Sequence, residues 1–293
     1  MLRPPIMKTA HIAILSASLL GLLVVGCKQD DDTSSPGEDL GTSESQLVAD
    51  DSEATETDDD IEAGIDEPLS GAAEDDPGTP ADGSSTDELL EKIRANAGRF
   101  FKPAGCLVST RTGNTIAHVF GACTGPYGMK KFTGTISSTY TREAGALTVT
   151  HAADGFTANG ATVSGSRTVV YKRQGAVTTK TRTGNWSGAT AKGKELSHTA
   201  SFVTAYDAST KCLTRDGSAQ TTIGGRSYER SVDGYKRCGI GRLGCPESGT
   251  TTLSRTKGDD TTTLTIEFLG GIRYRVTRPN GRQVTRALIC NPS

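Results

Sequence analysis

Apolar and polar residues alternate along most of the chain after residue 106, which is typical of strands with one buried and one solvated face. Phe132, Ile136 and Tyr140 share one parity, and the positions between them are small or polar. The same period recurs in five later sets: Leu147, Val149, His151; Val163, Val169, Tyr171; Leu196, His198, Ala200, Phe202, Thr204, Tyr206; Leu264, Ile266, Phe268; Ile272, Tyr274, Val276. Residues 102–293 are therefore predicted to form a β domain.

Turn-forming pairs separate the alternating segments at short intervals. They are Gly113-Asn114, Asn159-Gly160, Gly224-Gly225, Gly270-Gly271 and Asn280-Gly281. Short connections of this kind join antiparallel neighbours. The prediction is a mainly β fold, an antiparallel meander of roughly ten or more strands. The sheet is expected to be curled, barrel-like or split as a sandwich.

One amphipathic helix is predicted over residues 85–101, just before the strands. Ser85-Thr86-Asp87-Glu88 has the spacing of a capping box. Apolar residues then follow at helical intervals, namely Leu89, Ile93, Ala97 and Phe100, with Leu90 and Phe101 beside them. Gly98 is placed to end the helix.

An apolar run stands apart from this pattern at the N-terminus. Arg3 and Lys8 precede it, and residues 12–25 are almost wholly apolar. A positive start, a short apolar stretch and small residues at its end are typical of a secretory signal. A bilayer-spanning helix needs about 20 residues, so this run is too short to be one. Residues 1–26 are predicted to be a signal peptide.

The end of that run, Val24-Val25-Gly26-Cys27, resembles the lipobox of bacterial lipoproteins. The resemblance implies cleavage before Cys27 and acylation of this cysteine, and two or more chains anchor a protein stably. Lys28 stands where an aspartate would retain such a protein at the inner membrane. The expected location is the bacterial cell envelope, at the outer membrane, with the periplasmic or surface face left open.

Charge divides the rest of the chain into two parts. Residues 28–88 hold 22 acidic side chains against one basic, whereas residues 92–293 hold 29 basic against 11 acidic. The acidic part lacks aromatic residues and is rich in Ser, Thr, Gly, Pro and Ala, a composition typical of disorder. Residues 27–84 are predicted to be a disordered tether. Calcium binding is the alternative, but no segment has the Asp and Gly spacing of a calcium loop.

The basic excess after residue 91 suggests three partners. The first is an anionic polymer, such as lipopolysaccharide, acidic polysaccharide or extracellular nucleic acid. Seven arginines are the candidates for that contact: Arg226, Arg230, Arg273, Arg275, Arg278, Arg282 and Arg286. The second possibility is that the basic residues contact only solvent and, at the sheet edges, prevent pairing with another chain. The third is internal, with the acidic stretch folding back onto its own basic domain.

Six cysteines remain after Cys27, and an even number in an exported protein suggests disulfides. If Gly113-Asn114 is a hairpin turn, Cys106 lies nearly opposite Cys123. If Gly224-Gly225 is a hairpin turn, Cys212 lies near Cys238. The favoured set adds Cys245–Cys290. An alternative joins Cys238 to Cys245 and Cys212 to Cys290. No C-x-x-C motif is present, which argues against a zinc or redox site.

Motifs of catalysis are scarce. The glycines of residues 239–244 match a dinucleotide-binding pattern, but they lie between two cysteines rather than between a strand and a helix. His118, His151 and His198 lie on predicted strands without the close spacing of a metal motif. No G-x-S-x-G elbow occurs. The expectation is a non-catalytic protein with no cofactor and no metal.

Short segments of the β region add a family resemblance. They include Cys123-Thr124-Gly125-Pro126-Tyr127-Gly128, residues 158–163, and Gly234-Tyr235-Lys236-Arg237-Cys238. On these segments the chain resembles a group of uncharacterised, Cys-paired, Thr- and Gly-rich bacterial lipoproteins, which implies an exported β domain and no known activity. Two further functions stay open beside polymer binding. They are a carrier of lipid or another amphiphile inside a curled meander, and an enzyme of unknown class.

Overall fold

The computed structural model describes residues 40–70, 85–125, 128, 130–143, 145–239 and 245–288, with side chains of the first segment described to residue 65. Helix α1 spans Thr42–Ser70 and helix α2 spans Thr86–Asn96, followed by a 3-10 turn over Ala97–Phe100. The predicted signal peptide and Cys27 lie outside the described residues.

Thirteen antiparallel strands follow α2, and each pairs with the next in chain order. The strands are β1 Leu107–Thr112, β2 Thr115–Thr124, β3 Lys131–Glu143, β4 Ala146–Ala158, β5 Ala161–Gln174, β6 Val177–Ala189, β7 Glu195–Asp207, β8 Cys212–Ile223, β9 Arg226–Cys238, β10 Pro246–Lys257, β11 Asp260–Phe268, β12 Arg273–Thr277 and β13 Gln283–Ala287. All five predicted turn pairs lie between consecutive strands. The prediction of a mainly β antiparallel meander is confirmed.

The thirteen strands form one open sheet, with β1 and β13 as its unpaired edges. The curled form is therefore the correct one of the three shapes considered, because a sandwich needs two sheets and a closed barrel needs β1 paired with β13. Curling is evident from helix α1, which makes ion pairs with residues from β5 to β10 and with the β12–β13 turn. One helix reaches so many strands only if they bend around it.

Helix α2 has the capping box that the sequence predicts. Ser85 Oγ accepts a hydrogen bond from the Glu88 amide at 3.2 Å, and the Glu88 carboxylate accepts one from the Ser85 amide at 3.0 Å. The buried face differs slightly from the predicted one, since Phe100 is exposed and Phe101 is buried in its place. The break after Asn96 into a 3-10 turn rotates these last residues. Leu90 and Ile93 pack on Ile116 and Tyr140.

The prediction of a disordered tether is wrong for residues 42–70. They form a 29-residue helix, and residues 57–65 are all buried, so every side of the helix is covered over more than two turns. Composition suggested disorder because the segment has little apolar surface to bury. The missing stabilisation comes instead from the sheet, whose inward-facing cations neutralise the helix. The remaining tether residues, 27–39 and 71–84, lie outside the described residues.

Apolar residues of α1 also join two separate core clusters. Its first half packs Leu47 and Ala54 against apolar residues of β7 to β11. Its second half packs Ile61 and Ile65 among the aromatic rings Phe101, Phe120, Phe132, Phe156 and Trp186. Gly64 permits this approach, because a Cβ there would lie only 2.9 Å from Phe156 Cζ. The helix therefore lies along the inside of the curled sheet and bridges its two halves.

Candidate functional site

The charged interior between α1 and the sheet is the most extensive polar assembly in the described structure. Carboxylates at seven positions of the helix form ion pairs, and the helix carries no Lys or Arg. The carboxylates are Glu44, Asp50, Asp51, Glu53, Asp58 and Glu62, joined by Asp60. Their partners are Lys130, Arg167, Lys180, Arg182, Lys192, Lys194, Arg226, Arg230, Arg255 and Arg278. We call this set the α1 network.

Asp58 and Glu62 form the centre of the α1 network, one helical turn apart. Asp58 accepts a hydrogen bond from Arg167 Nη2 and pairs with Arg182 Nη1 at 2.8 Å. Glu62 holds the same Arg182 Nη1 at 2.6 Å and Lys180 Nζ at 2.6 Å. Burial alone would raise the pKa of Asp58, but the charges of Arg167 and Arg182 outweigh it and lower that pKa. Both carboxylates are therefore ionised and held by several cations at once.

The first half of α1 is held in the same way near the strand turns. Asp50 is fully buried and accepts from Arg226 Nε at 2.8 Å and from Arg255 Nη2 at 2.6 Å. Glu53 binds Lys194 Nζ at 2.6 Å. Burial raises the pKa of Asp50, yet the hydrogen bonds from Arg226 and Gln46 and the nearby arginine charges bring it below its ordinary value.

Asp51 is the exception in this network. Its Oδ2 has no hydrogen-bond partner among the described residues, and its nearest cation, Arg230 Nη1, lies 4.0 Å from Oδ1. Burial is the largest influence on this carboxyl and raises its pKa, although Arg230 and Tyr228 act against the rise. A weakly paired, buried carboxyl of this kind lowers the stability gained from the network.

The seven arginines proposed for polymer binding divide into two groups. Arg226, Arg230 and Arg278 belong to the α1 network, and Arg278 Nη2 binds Glu44 Oε2 at 2.6 Å. The other four lie on β12, on β13 and in the turn between them. These are Arg273, Arg275, Arg282 and Arg286. Arg275 pairs with Glu267 at 3.0 Å, whereas Arg273 and Arg286 are exposed.

The three strand histidines are all buried and do not converge. Each shares a hydrogen bond through Nδ1 with a hydroxyl on the neighbouring strand. The pairs are Ser109–His118 at 2.8 Å, Ser138–His151 at 2.8 Å and Thr221–His198 at 2.9 Å. Burial lowers the pKa of His118 to about 4 and lowers those of His151 and His198 as well. No group of three metal-binding side chains occurs in the described part of the chain.

Two predicted disulfides are confirmed. Cys106 bonds to Cys123 and Cys212 to Cys238, each across a hairpin. The alternative connectivity through Cys238–Cys245 and Cys212–Cys290 is wrong, because Cys212 and Cys238 bond to each other. Cys245 is also disulfide-bonded, while its predicted partner Cys290 lies outside the described residues. Most of the glycine-rich loop, residues 240–244, lies there too.

No sequence motif marks the three arginines that make the central ion pairs with α1, namely Arg167, Arg182 and Arg255. The alternation of apolar and polar positions along the strands could have identified two of them. Arg167 has the parity of Val163 and Val169, and Arg182 has the parity of Trp186, so both point to the buried face. A charged residue on an apolar parity predicts a buried partner of opposite charge, and the acidic stretch was the only large supply of such partners.

An open groove of about 510 Å³ lies between α2 and β1. Its charged groups neutralise one another: Glu91 pairs with Arg94 at 2.8 Å and with Arg111 at 3.1 Å. The groove therefore presents paired rather than isolated charges.

Neither described helix has the length and apolar composition needed to cross a bilayer. Comparison of the chain with protein-family models, with curated proteins and with solved structures finds no match.

Proposed function

We propose that this protein is a membrane-anchored bacterial lipoprotein, acylated at Cys27, whose folded part is a non-catalytic module that binds anionic polymers. The observation that carries the proposal is the division of its cations. One group pairs with α1 inside the sheet, and a second, smaller group is exposed to solvent on the last hairpin. The resemblance to Cys-paired bacterial lipoproteins points to the same envelope location.

The last hairpin, β12 and β13, is the proposed contact surface. Arg273, Arg282 and Arg286 are exposed there. Strand β13 is an edge of the described sheet, and no other described strand pairs with its outer side. Guanidinium groups bind phosphate, sulfate and carboxylate groups in a bidentate manner, which suits lipopolysaccharide, acidic polysaccharide or extracellular nucleic acid. The carrier alternative gains no support here, because α1 occupies the interior that an amphiphile would need.

The anchor is tested by replacing Cys27 with alanine in the producing bacterium. The wild-type protein is expected to incorporate a clickable fatty acid and to enter the detergent phase on Triton X-114 partitioning. Cys27→Ala is expected to lose both properties. Equal labelling of the two proteins would exclude Cys27 as the acylation site.

The polymer contact is tested by retention on heparin and on immobilised lipopolysaccharide at low salt. Arg273→Gln, Arg282→Gln and Arg286→Gln together are expected to elute at clearly lower salt than the wild type, since each lost phosphate-type contact reduces the salt-dependent term. The matched control changes three exposed lysines elsewhere, Lys172, Lys211 and Lys257, to Gln. Equal loss in both triple variants would mean that net charge alone, rather than the hairpin, governs binding.

A further inference from the structure

A second cationic cluster lies inside the sheet, beyond the α1 network. Arg215 on β8 lies opposite Tyr235 on β9, and Arg237 follows two residues later on the same face. The neighbouring apolar cluster contains Phe202, Tyr235, Phe268 and Tyr274, and no described side chain of either helix belongs to it. The Cys212–Cys238 disulfide joins the ends of the two strands directly beside Arg237.

Within the described part of the chain, the two cations of this cluster have no carboxylate partner. Among the described residues, neither Arg215 nor Arg237 has an ion pair or a side-chain hydrogen bond, although Arg237 is only 9% exposed. Arg215 Nε and the Tyr235 hydroxyl are shielded from solvent and lack hydrogen-bond partners within the described structure. The Arg215 guanidinium instead lies over the Phe202 ring, 4.2 Å from its centroid. A cation–π contact offsets only part of the cost of burying a charge.

The surroundings of Arg215 add positive rather than negative charge. The Arg182 guanidinium lies 5.3 Å from the centroid of the same Phe202 ring. Burial, together with the charges of Arg182 and Arg230, lowers the pKa of Arg215 to about 10, while Glu62 and Asp59 oppose this only weakly. Burial raises the pKa of Tyr235 to about 12, so its hydroxyl keeps its proton as a donor. The local potential is therefore positive with α1 in place.

We propose that Arg215, Arg237 and the Tyr235 hydroxyl form a binding site for a small oxyanion of the phosphate, sulfate or carboxylate class. The guanidinium groups supply charge-assisted donors in a planar fork, which such anions accept in pairs. The hydroxyl supplies a further donor from the opposite strand. An anion here provides an acceptor for Arg215 Nε and for the Tyr235 hydroxyl, which lack hydrogen-bond partners within the described structure. The site is distinct from the exposed hairpin and does not depend on the proposed function.

The site is tested by titrating the intact protein with inorganic phosphate in a calorimeter, at constant ionic strength maintained with chloride. Tyr235→Phe removes only the unpartnered hydroxyl and is expected to weaken phosphate binding roughly tenfold. Arg215→Gln is expected to abolish measurable binding, and Lys172→Gln, an exposed change, leaves it unaltered. Titrations with sulfate and with acetate show which class of anion the site prefers. Hexyl phosphate is then compared with inorganic phosphate. Tighter binding of hexyl phosphate indicates the headgroup of an amphiphile as the ligand, whereas equal or weaker binding indicates a free anion.

Two results would overturn the site. One is a wild-type protein that binds phosphate no better than chloride, and the other is unchanged phosphate affinity in both Arg215→Gln and Tyr235→Phe. Folding is checked by thermal unfolding in chloride alone, where Arg215→Gln removes an uncompensated charge and is expected to melt no lower than the wild type. If Arg215→Gln does not fold, Tyr235→Phe decides the question, because it keeps the packed ring.

Discussion

At the scale of single residues, the interior replaces part of an apolar core with paired charges. Asp58 shows how this works, since it is buried and holds Arg167 and Arg182 together. Buried pairs of this kind add little net stability compared with apolar packing, but breaking one leaves an uncompensated charge. The α1 network is therefore expected to fix the position of α1 inside the sheet, and loss of one of its ion pairs is expected to lower the stability of the protein.

Replacing Asp58 with Asn tests this view. The change leaves Arg167 without its carboxylate and is expected to lower the free energy of unfolding by about 3–5 kcal/mol. The control is Glu56→Gln on the same helix, whose side chain is exposed and is expected to change stability by less than about 0.5 kcal/mol. The measurement is chemical denaturation followed by circular dichroism. Equal effects of the two changes would contradict the burial of Asp58.

His118 predicts how stability depends on pH. Its pKa is about 4 in the folded protein because the ring is buried, and about 6.5 in the unfolded chain. Between these values the unfolded chain binds the extra proton, so stability falls as the pH drops from about 6.5 to 4, by up to about 1.4 kcal/mol per pH unit. His118→Asn is expected to show a shallower fall in unfolding experiments across this window. Ser109→Ala removes the hydrogen-bond partner but keeps the titrating ring, so its slope should match the wild type.

At the scale of elements, α1 is a helix that would not be stable alone. Its 11 acidic side chains repel one another, and no basic residue within the helix offsets them. Leu47, Ala54 and Ile61 recur every seven residues and supply an apolar stripe. The sheet provides both the apolar surface and the cations, so the helix depends on tertiary contacts.

Hydrogen exchange measured by mass spectrometry tests whether α1 is folded in solution. Amides of residues 46–65 are expected to be protected at pH 7 to a degree comparable with β5 and β6, because they are hydrogen-bonded and covered by the sheet. The short exposed turn at Gly175 serves as the unprotected reference. Exchange of α1 at the rate of the turn would contradict its position inside the sheet.

At the scale of the whole molecule, α1 neutralises much of the positive charge that the sequence assigns to the β domain. The acidic helix offsets more than half of the +18 carried by residues 92–293, and most of this offset occurs inside the protein. It also shortens the predicted tether. Only 14 residues separate Cys27 from Thr42, and they reach at most about 50 Å when fully extended. An acylated Cys27 would therefore hold the β domain close to the membrane.

Heparin retention tests whether α1 masks the inner cations. A quadruple variant removes four carboxylates of the α1 network: Asp50→Asn, Glu53→Gln, Asp58→Asn and Glu62→Gln. Because the ion pairs that hold α1 are weakened, this variant is expected to elute from heparin at higher salt than the wild type. The matched control neutralises four exposed acids, Glu143, Glu195, Asp233 and Asp259. Both variants gain the same net charge, so later elution of the first reports newly accessible cations. Coelution of the two variants would contradict masking.

The sequence by itself determined the β meander, its turns, two disulfides and the α2 capping box, because these depend on contacts between near neighbours in the chain. Alternation sets which face of a strand is buried, and a tight turn sets the register of the strands that it joins. The hairpin pairs Cys106–Cys123 and Cys212–Cys238 follow directly from those registers.

Only the tertiary structure decided the state of the acidic stretch and the role of the arginines. Asp58 and Arg167 are 109 residues apart, and Glu62 and Arg182 are 120 apart. No local pattern joins such pairs, so composition alone predicted disorder for the acidic partner and left three alternatives open for the basic one, an internal contact with the acidic stretch among them. Folding brings them together because the curled sheet places inward-facing cations around a single helix, where removal from water makes each charge require its opposite.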